Sequence, residues 1–292
     1  MMFKGCFTAL VTPFKDGKVD EKSLGNLIEF QIKNGINGLV PCGTTGESAT
    51  LSYEEHNRVI DITVETAAKR VPVIAGTGSN STSETVMLTR HAEDMGADCA
   101  LLITPYYNKP TQAGLYEHYK TVAEEVTIPI MLYNVPGRTG VNMLPETVAR
   151  LSEIKNIVGI KEATGNLQQI SDVIEYSRPG FLVISGDDFT TFPLLSIGGH
   201  GVISVTSNVS PKDVSDMCSL FFNGKAEESR RLHYKLQPLH RAMFIETNPV
   251  PVKTALSMMG MMKEEFRLPL VGMSKDNKAR LEKTLKLSGL IK

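Results

Sequence analysis

Lys161 stands near the end of a β-branched and apolar run, Ile157–Glu162 (IVGIKE), and an amine held in such a place is a candidate nucleophile. At an ordinary pKa near 10.4, only about 0.04% of lysine is neutral at pH 7. Burial lowers a lysine pKa and frees the lone pair to attack a carbonyl carbon, giving a Schiff base. Strand alternation puts Ile157, Gly159 and Lys161 on one face, so that Gly159 leaves room beside the lysine stem, and Val158 and Ile160 on the other. The competing assignment is a lysine that snorkels from the strand end to water or pairs with Glu162.

Other segments offer partners for such chemistry. Cys42–Ser48 (CGTTGES) has glycines flanking Thr44-Thr45. That spacing allows a backbone nest whose N–H groups hold a carboxylate, although an ordinary turn explains it as well. In Tyr133–Gly140 (YNVPGRTG), Tyr133 is either an acid/base or amphipathic packing. Arg138 in the same segment has the planar fork that suits a substrate carboxylate, unless it is simply solvated. Thr104–Lys109 (TPYYNK) carries adjacent Tyr106 and Tyr107, whose side chains diverge and so serve different places, one of them an interface. Ser185-Gly186-Asp187-Asp188 is a further polar wall, with Asp188 equally able to cap the next helix. Gly198-Gly199-His200-Gly201 has the look of a phosphate loop.

The elements that would position these residues alternate. Strand candidates are Gly5–Leu10, Gly38–Cys42, Val71–Ala75, Cys99–Thr104, Ile128–Asn134, Ile157–Glu162, Phe181–Ser185 and Gly201–Thr206. Several are apolar almost without a break, as parallel strands covered on both sides should be. Amphipathic segments lie between them, three opened by capping patterns at Ser52-x-x-Glu55, Ser81-x-x-Glu84 and Asn166-x-x-Gln169. Eight β-then-α units predict an α/β fold, a (β/α)8 TIM barrel over residues 1–224. A doubly wound open sheet is the alternative, but no G-x-G-x-x-G opens the first helix. Residues 225–292 read as a C-terminal helical extension punctuated by Pro238, Pro249 and Pro269. Loops that follow barrel strands form the active face. This filter keeps the segments named first and turns Gly198–Gly201, which precedes a strand, into a tight turn.

Composition narrows the function. The 292 residues are 41% hydrophobic and 22% charged, with 31 basic against 32 acidic side chains and a net charge of −1. That balance disfavours a nucleic-acid or anionic-membrane binder. The longest apolar run, Cys99–Ile103, is five residues, far below the roughly 18 a bilayer span needs. Cys6, Cys42, Cys99 and Cys218 are scattered, which fits a reducing cytoplasm and argues against a disulfide framework or a metal site. The first residues read as mature sequence rather than a signal peptide.

Together the motifs GTTGE (43–47), YYNKP (106–110), YNVPGRT (133–139) and GIKEA (159–163) resemble the dihydrodipicolinate synthase (4-hydroxy-tetrahydrodipicolinate synthase) family, within the N-acetylneuraminate lyase superfamily of class I pyruvate aldolases. The resemblance runs from GCFTALVTPF at residues 5–14 to the helical tail. It implies that Lys161 forms an imine with pyruvate, that Tyr133 gives and takes protons, and that Thr44 and Tyr107 complete a relay, Tyr107 entering a neighbouring subunit's site. It implies too that Thr45 binds the pyruvate carboxylate, that Ile203 and Gly186 line the substrate site, and that Arg138 receives the carboxylate of L-aspartate 4-semialdehyde. No cofactor or metal is implied beyond the covalent imine, and the assembly implied is a dimer of dimers.

Lysine-sensitive members bind L-lysine at positions matching Ser48, Ala49, His56, Asn80, Glu84 and Tyr106, all present here, while Tyr53 replaces a frequent histidine. The alternative at that place is a Glu84 that only completes a capping box and a His56 on a helix surface. The rival activity is an N-acetylneuraminate lyase or 2-keto-3-deoxy-sugar-acid aldolase, which shares the lysine and tyrosine chemistry. Arg138 favours the reaction of a second carboxylate. A non-catalytic keto-acid binder would be favoured by loss of Lys161 or Tyr133, and both are present.

Overall fold

A computed structural model describes residues 3–292. Its strands, in chain order, are β1 Gly5–Ala9, β2 Phe14–Lys15, β3 Lys18–Val19, β4 Gly38–Val40, β5 Ile74–Gly76, β6 Cys99–Ile103, β7 Ile130–Asn134, β8 Ile157–Glu162, β9 Leu182–Ser185 and β10 Gly201–Ser204. β2 and β3 form a small antiparallel hairpin that the sequence pattern did not mark. The other eight make one sheet in the order β4-β1-β10-β9-β8-β7-β6-β5. They coincide with the eight candidates, most of them trimmed by one to three residues. With a helix after each strand, this is the (β/α)8 barrel followed by C-terminal helices.

Contacts divide the chain into two compact units. The first, residues 3–5 with Pro72–Ile203, carries β5 to β10. Its helices are α3 Thr82–Asp94, α4 Gln112–Glu125, α5 Pro136–Thr139, α6 Pro145–Ser152, α7 Leu167–Tyr176 and α8 Thr191–Ser196. The second, Cys6–Val71 with Ser204–Lys292, carries the parallel pair of β1 and β4 with α1 Glu21–Lys33 and α2 Tyr53–Ala67. It also holds α9 Pro211–Phe222, α10 Ala226–Met243, α11 Val250–Met258 and α12 Lys275–Leu287.

Local chemistry explains these elements. β5, β7, β9 and β10 are buried at every residue, so the unbroken apolar runs are strands covered on both faces. Ser52 and Glu55 close a full capping box on α2, and Asn166 accepts from the N–H groups of Gln168 and Gln169 at the start of α7. At α3 the serine caps but the box does not close, because the Ser81 N–H goes to Ser79 Oγ. Asp187 rather than Asp188 caps the turn after β9, accepting from Phe189 N–H at 3.2 Å. Pro238 does not end a helix. It sits inside α10, where the carbonyl it leaves without a helical donor belongs to Tyr234, an exposed residue that water can serve. Gly198–Gly201 is the tight turn into β10, with Gly198 at φ 108.

Gly159 of β8 permits close approach of β9. A Cβ there would lie 2.6 Å from the Leu182 carbonyl oxygen and 2.7 Å from the Leu182 Cβ. Gly159→Ala therefore forces the two strands apart, at an expected cost of about 1–3 kcal/mol. Thermal unfolding should show a midpoint lowered by several degrees, and an unchanged midpoint would mean that β9 yields freely.

Candidate active site

The first unit holds the amine. The register of β7 and β8 sets Tyr133 opposite Lys161 and Asn134 opposite Glu162. Successive strand residues face opposite ways, so each pair occupies its own side of the sheet. Lys161 is 7% exposed and Tyr133 6%, and the lysine Nζ lies 4.1 Å from the centre of the tyrosine ring. The snorkelling alternative is thereby excluded. Room for the stem comes from Gly186, after β9, where a Cβ would stand 3.0 Å from Lys161 Cε and 3.1 Å from its Cγ. Alternation assigns that room to Gly159, which instead meets Leu182, because the crowding comes from a neighbouring strand that a single run of sequence does not contain.

Glu162 does not pair with Lys161. Its carboxylate accepts from Thr164 N–H at 2.8 Å and from Asn134 Nδ2 at 3.1 Å. Burial pushes its pKa up, and these donors oppose the rise. Asn134 also donates to Asn142 Oδ1 at 2.8 Å and accepts from Met143 N–H at 3.0 Å, tying the ends of β7 and β8 to the following loop.

Around this centre, Ile203 is buried on β10. Arg138 sits exposed on the one-turn helix α5, which starts at Pro136 and ends at Gly140 with φ 72. Tyr107, after β6, is 90% exposed and at φ 72. Its neighbour Tyr106 is exposed as well, and the loop is fixed by Asn108, whose Nδ2 donates to Asn80 O at 2.9 Å. Glu84 accepts from Ser79 Oγ at 2.6 Å instead of closing a capping box.

The second unit holds the threonines. Thr44–Gly46 is a 3-10 turn following β4. Its left-handed residues are Cys42 and Glu47, both at φ 54, rather than the two glycines on which the nest was predicted. Gly46 serves close approach: a Cβ would lie 3.2 Å from Leu10 O, and Thr12 Oγ1 donates to Gly46 O at 2.7 Å. Thr45 is buried, and its Oγ1 accepts from Asn248 Nδ2 at 3.0 Å. Glu47 pairs with Lys253 of α11, both side chains fully buried, and its other oxygen accepts from Arg267 N–H at 3.4 Å. The Lys253 ammonium lies 4.1 Å from the Phe14 ring centre. Burial pulls its pKa below the usual lysine range while Glu47 resists that pull. Ser48 and Ala49 lie in the next 3-10 turn. His56, in α2, is buried rather than on a helix surface.

A sequence profile for the dihydrodipicolinate synthetase family matches residues 2–288. The chain belongs to this family. It is 61% identical over 291 residues to 4-hydroxy-tetrahydrodipicolinate synthase of Thermodesulfovibrio yellowstonii, covering 100% of both chains. Among solved structures it is similar to dihydrodipicolinate synthase from Acinetobacter baumannii, described as chloride-inhibited and complexed with pyruvate, at 49% identity, TM-score 0.97 and 99% coverage of each chain. The family member from Cyanidioschyzon merolae, solved with lysine bound, has 40% identity, TM-score 0.96 and 99% coverage of each chain.

Sequence reasoning missed residues that hold the motif segments: Asn134 in the first unit, and Asn248 and the pairing of Glu47 with Lys253 in the second. A signal existed for Lys253, a lone charge in the apolar run Val250–Leu256 (VPVKTAL). Asn248 had none, because its partner is 203 residues away. Among the described residues, no cluster of His, Cys, Asp or Glu could hold a metal ion, and no helix is long and apolar enough to cross a membrane.

Removing one member of a buried pair leaves an uncompensated charge, typically at about 3–5 kcal/mol. Lys253→Met should therefore unfold at clearly lower temperature, and Glu47→Gln combined with Lys253→Met should recover most of the loss. Equal melting of the single and double variants would show that the carboxylate finds another cation.

Proposed function

We propose that this chain condenses pyruvate with L-aspartate 4-semialdehyde through a Schiff base on Lys161. The product is 4-hydroxy-tetrahydrodipicolinate, and the step is the first committed one of diaminopimelate and lysine biosynthesis. The observation that carries this reading is a buried amine set against the Tyr133 ring in a chain that matches the family end to end.

Lys161 Nζ attacks the ketone carbon of pyruvate. Tyr133 passes a proton to the departing oxygen, and water leaves as the imine forms. The protonated imine nitrogen draws electrons from the methyl carbon, which loses a proton and becomes an enamine, so that the electron sink is the covalent adduct itself. The enamine carbon then attacks the aldehyde of the second substrate, whose oxygen takes up a proton. The product's own amino group finally displaces Lys161 and closes the ring. In this reading Thr45 and the adjacent backbone hold the pyruvate carboxylate, with Gly186 and Ile203 lining the site. Arg138, on an exposed turn, meets the carboxylate of the second substrate. Thr44 and a Tyr107 from a neighbouring copy extend the proton relay. The exposure of Tyr107 supports that role, and in this reading the active unit is at least a dimer within a homotetramer. The setting proposed is the cytoplasm, and neither nucleic acid nor membrane is a partner.

Pyruvate with borohydride should add one adduct per chain, mapped to Lys161. Labelling that survives Lys161→Ala would overturn the assignment. Assays of pyruvate with aspartate semialdehyde beside N-acetylneuraminate cleavage separate this activity from a sugar-acid aldolase.

L-Lysine is the proposed inhibitor, bound by Ser48, Ala49, His56, Asn80, Glu84 and Tyr106. Glu84 supports the reading because its carboxylate can pair with the effector's α-amino group, and Tyr106 is the chain neighbour of Tyr107. A coupling of about 1–3 kcal/mol between such sites is typical. Millimolar L-lysine should lower the rate in a way that excess pyruvate does not abolish, and Glu84→Thr should relieve it. Full activity at saturating lysine would refute the regulation.

A further inference from the structure

A threonine hydroxyl has one proton to give and two lone pairs to receive with. At Thr45 one lone pair is occupied, because Asn248 Nδ2 donates to Oγ1 at 3.0 Å. Both residues are buried, Thr45 at 3% exposure and Asn248 at 5%. The hydroxyl proton therefore points away from Asn248 and stays available to an acceptor.

We propose that Asn248, from the C-terminal extension, is a positioning residue for the first substrate: it orients the Thr45 hydroxyl as a donor to the pyruvate carboxylate. This inference rests on the reading of Thr45 as a carboxylate ligand. A hydroxyl left to rotate presents lone pairs as often as its proton, and lone pairs repel an anion. The amide removes that freedom before the ligand arrives, which lowers the ordering cost of binding. The backbone beneath is held as firmly. Glu47, two residues on, is locked to Lys253 of α11, and Gly46 O is held by Thr12 Oγ1 at 2.7 Å. The loop is thus pinned by its own unit while one asparagine sets the direction of one proton.

The test compares Asn248→Ala, Asn248→Asp, Thr45→Val and the double variant Thr45→Val/Asn248→Ala, with each substrate varied while the other saturates. Asn248→Ala should raise the KM for pyruvate about tenfold, the effect of losing one well-aligned bond to a charged group. The KM for aspartate semialdehyde should change less than about twofold, a split that general destabilisation would not produce. Asn248→Asp should be worse than Asn248→Ala, since its carboxylate captures the hydroxyl proton and adds a negative charge. In the Thr45→Val background Asn248→Ala should add little, because both changes remove one interaction. If Asn248→Ala does not fold, Asn248→Gln, which displaces the donor on a longer stem, carries the same expectation. Multiplicative effects of the two single changes, equal shifts in both KM values, or an Asn248→Asp variant no worse than Asn248→Ala would overturn the proposal. A Thr45→Val enzyme with an unchanged pyruvate KM would instead remove the reading of Thr45 on which it rests.

Discussion

In the proposed reaction a lysine amine attacks a ketone, so it has to be kept from bulk water and yet held still, and the end of a parallel strand answers both needs. Position 161 lies on β8 between two hydrogen-bonded neighbours, β7 and β9, so its backbone has no freedom to wander. One neighbour contributes the ring of Tyr133. After the other comes Gly186, whose missing side chain is the space occupied by the lysine stem. The same register that brings Tyr133 beside Lys161 brings Asn134 beside Glu162 on the opposite face. The chemistry and its support are therefore built by one pairing of strands.

Glu162 and Glu47, buried beside the motif residues Lys161 and Thr45, are satisfied differently. Glu162 is surrounded by neutral donors, the Thr164 N–H and the Asn134 amide. Glu47 is satisfied by a full cation, Lys253, with Arg267 N–H on its second oxygen. An ion pair with excellent geometry offsets the desolvation of both partners, but it tolerates the loss of neither. That suits a turn whose left-handed residue is a glutamate rather than a glycine. The local backbone cost, on the order of 1 kcal/mol, is over-determined by the tertiary contacts of its side chain.

Burial and exposure divide the work. Lys161, Tyr133, Thr45 and Ile203 are buried and sit on or directly after strands. Arg138, Tyr106 and Tyr107 lie exposed on short turns beyond the strand ends. Rigid strands suit a covalent centre, where small displacements are costly. Surface turns suit the roles proposed for these groups, admitting a second substrate or meeting another copy of the chain.

Much of this was legible in the sequence. The eight apolar runs, the Ser52 and Asn166 caps and the position of Lys161 at a strand end all follow from side-chain chemistry over a few residues, where neighbours along the chain are also neighbours in space. The motifs around Thr44, Tyr133 and Arg138 named the family for the same reason. What sequence could not supply was any fact created by residues far apart in the chain. The space beside Lys161 belongs to Gly186 and not to Gly159, because a strand does not reveal what lies on its neighbour. Asn248 reaches Thr45, and Lys253 reaches Glu47, across more than 200 positions. Pro238 reads as punctuation, yet it is carried inside α10. Local spacing determines which groups are able to react; the tertiary fold decides which of them meet, because hydrogen bonds and burial act through space and not along the chain.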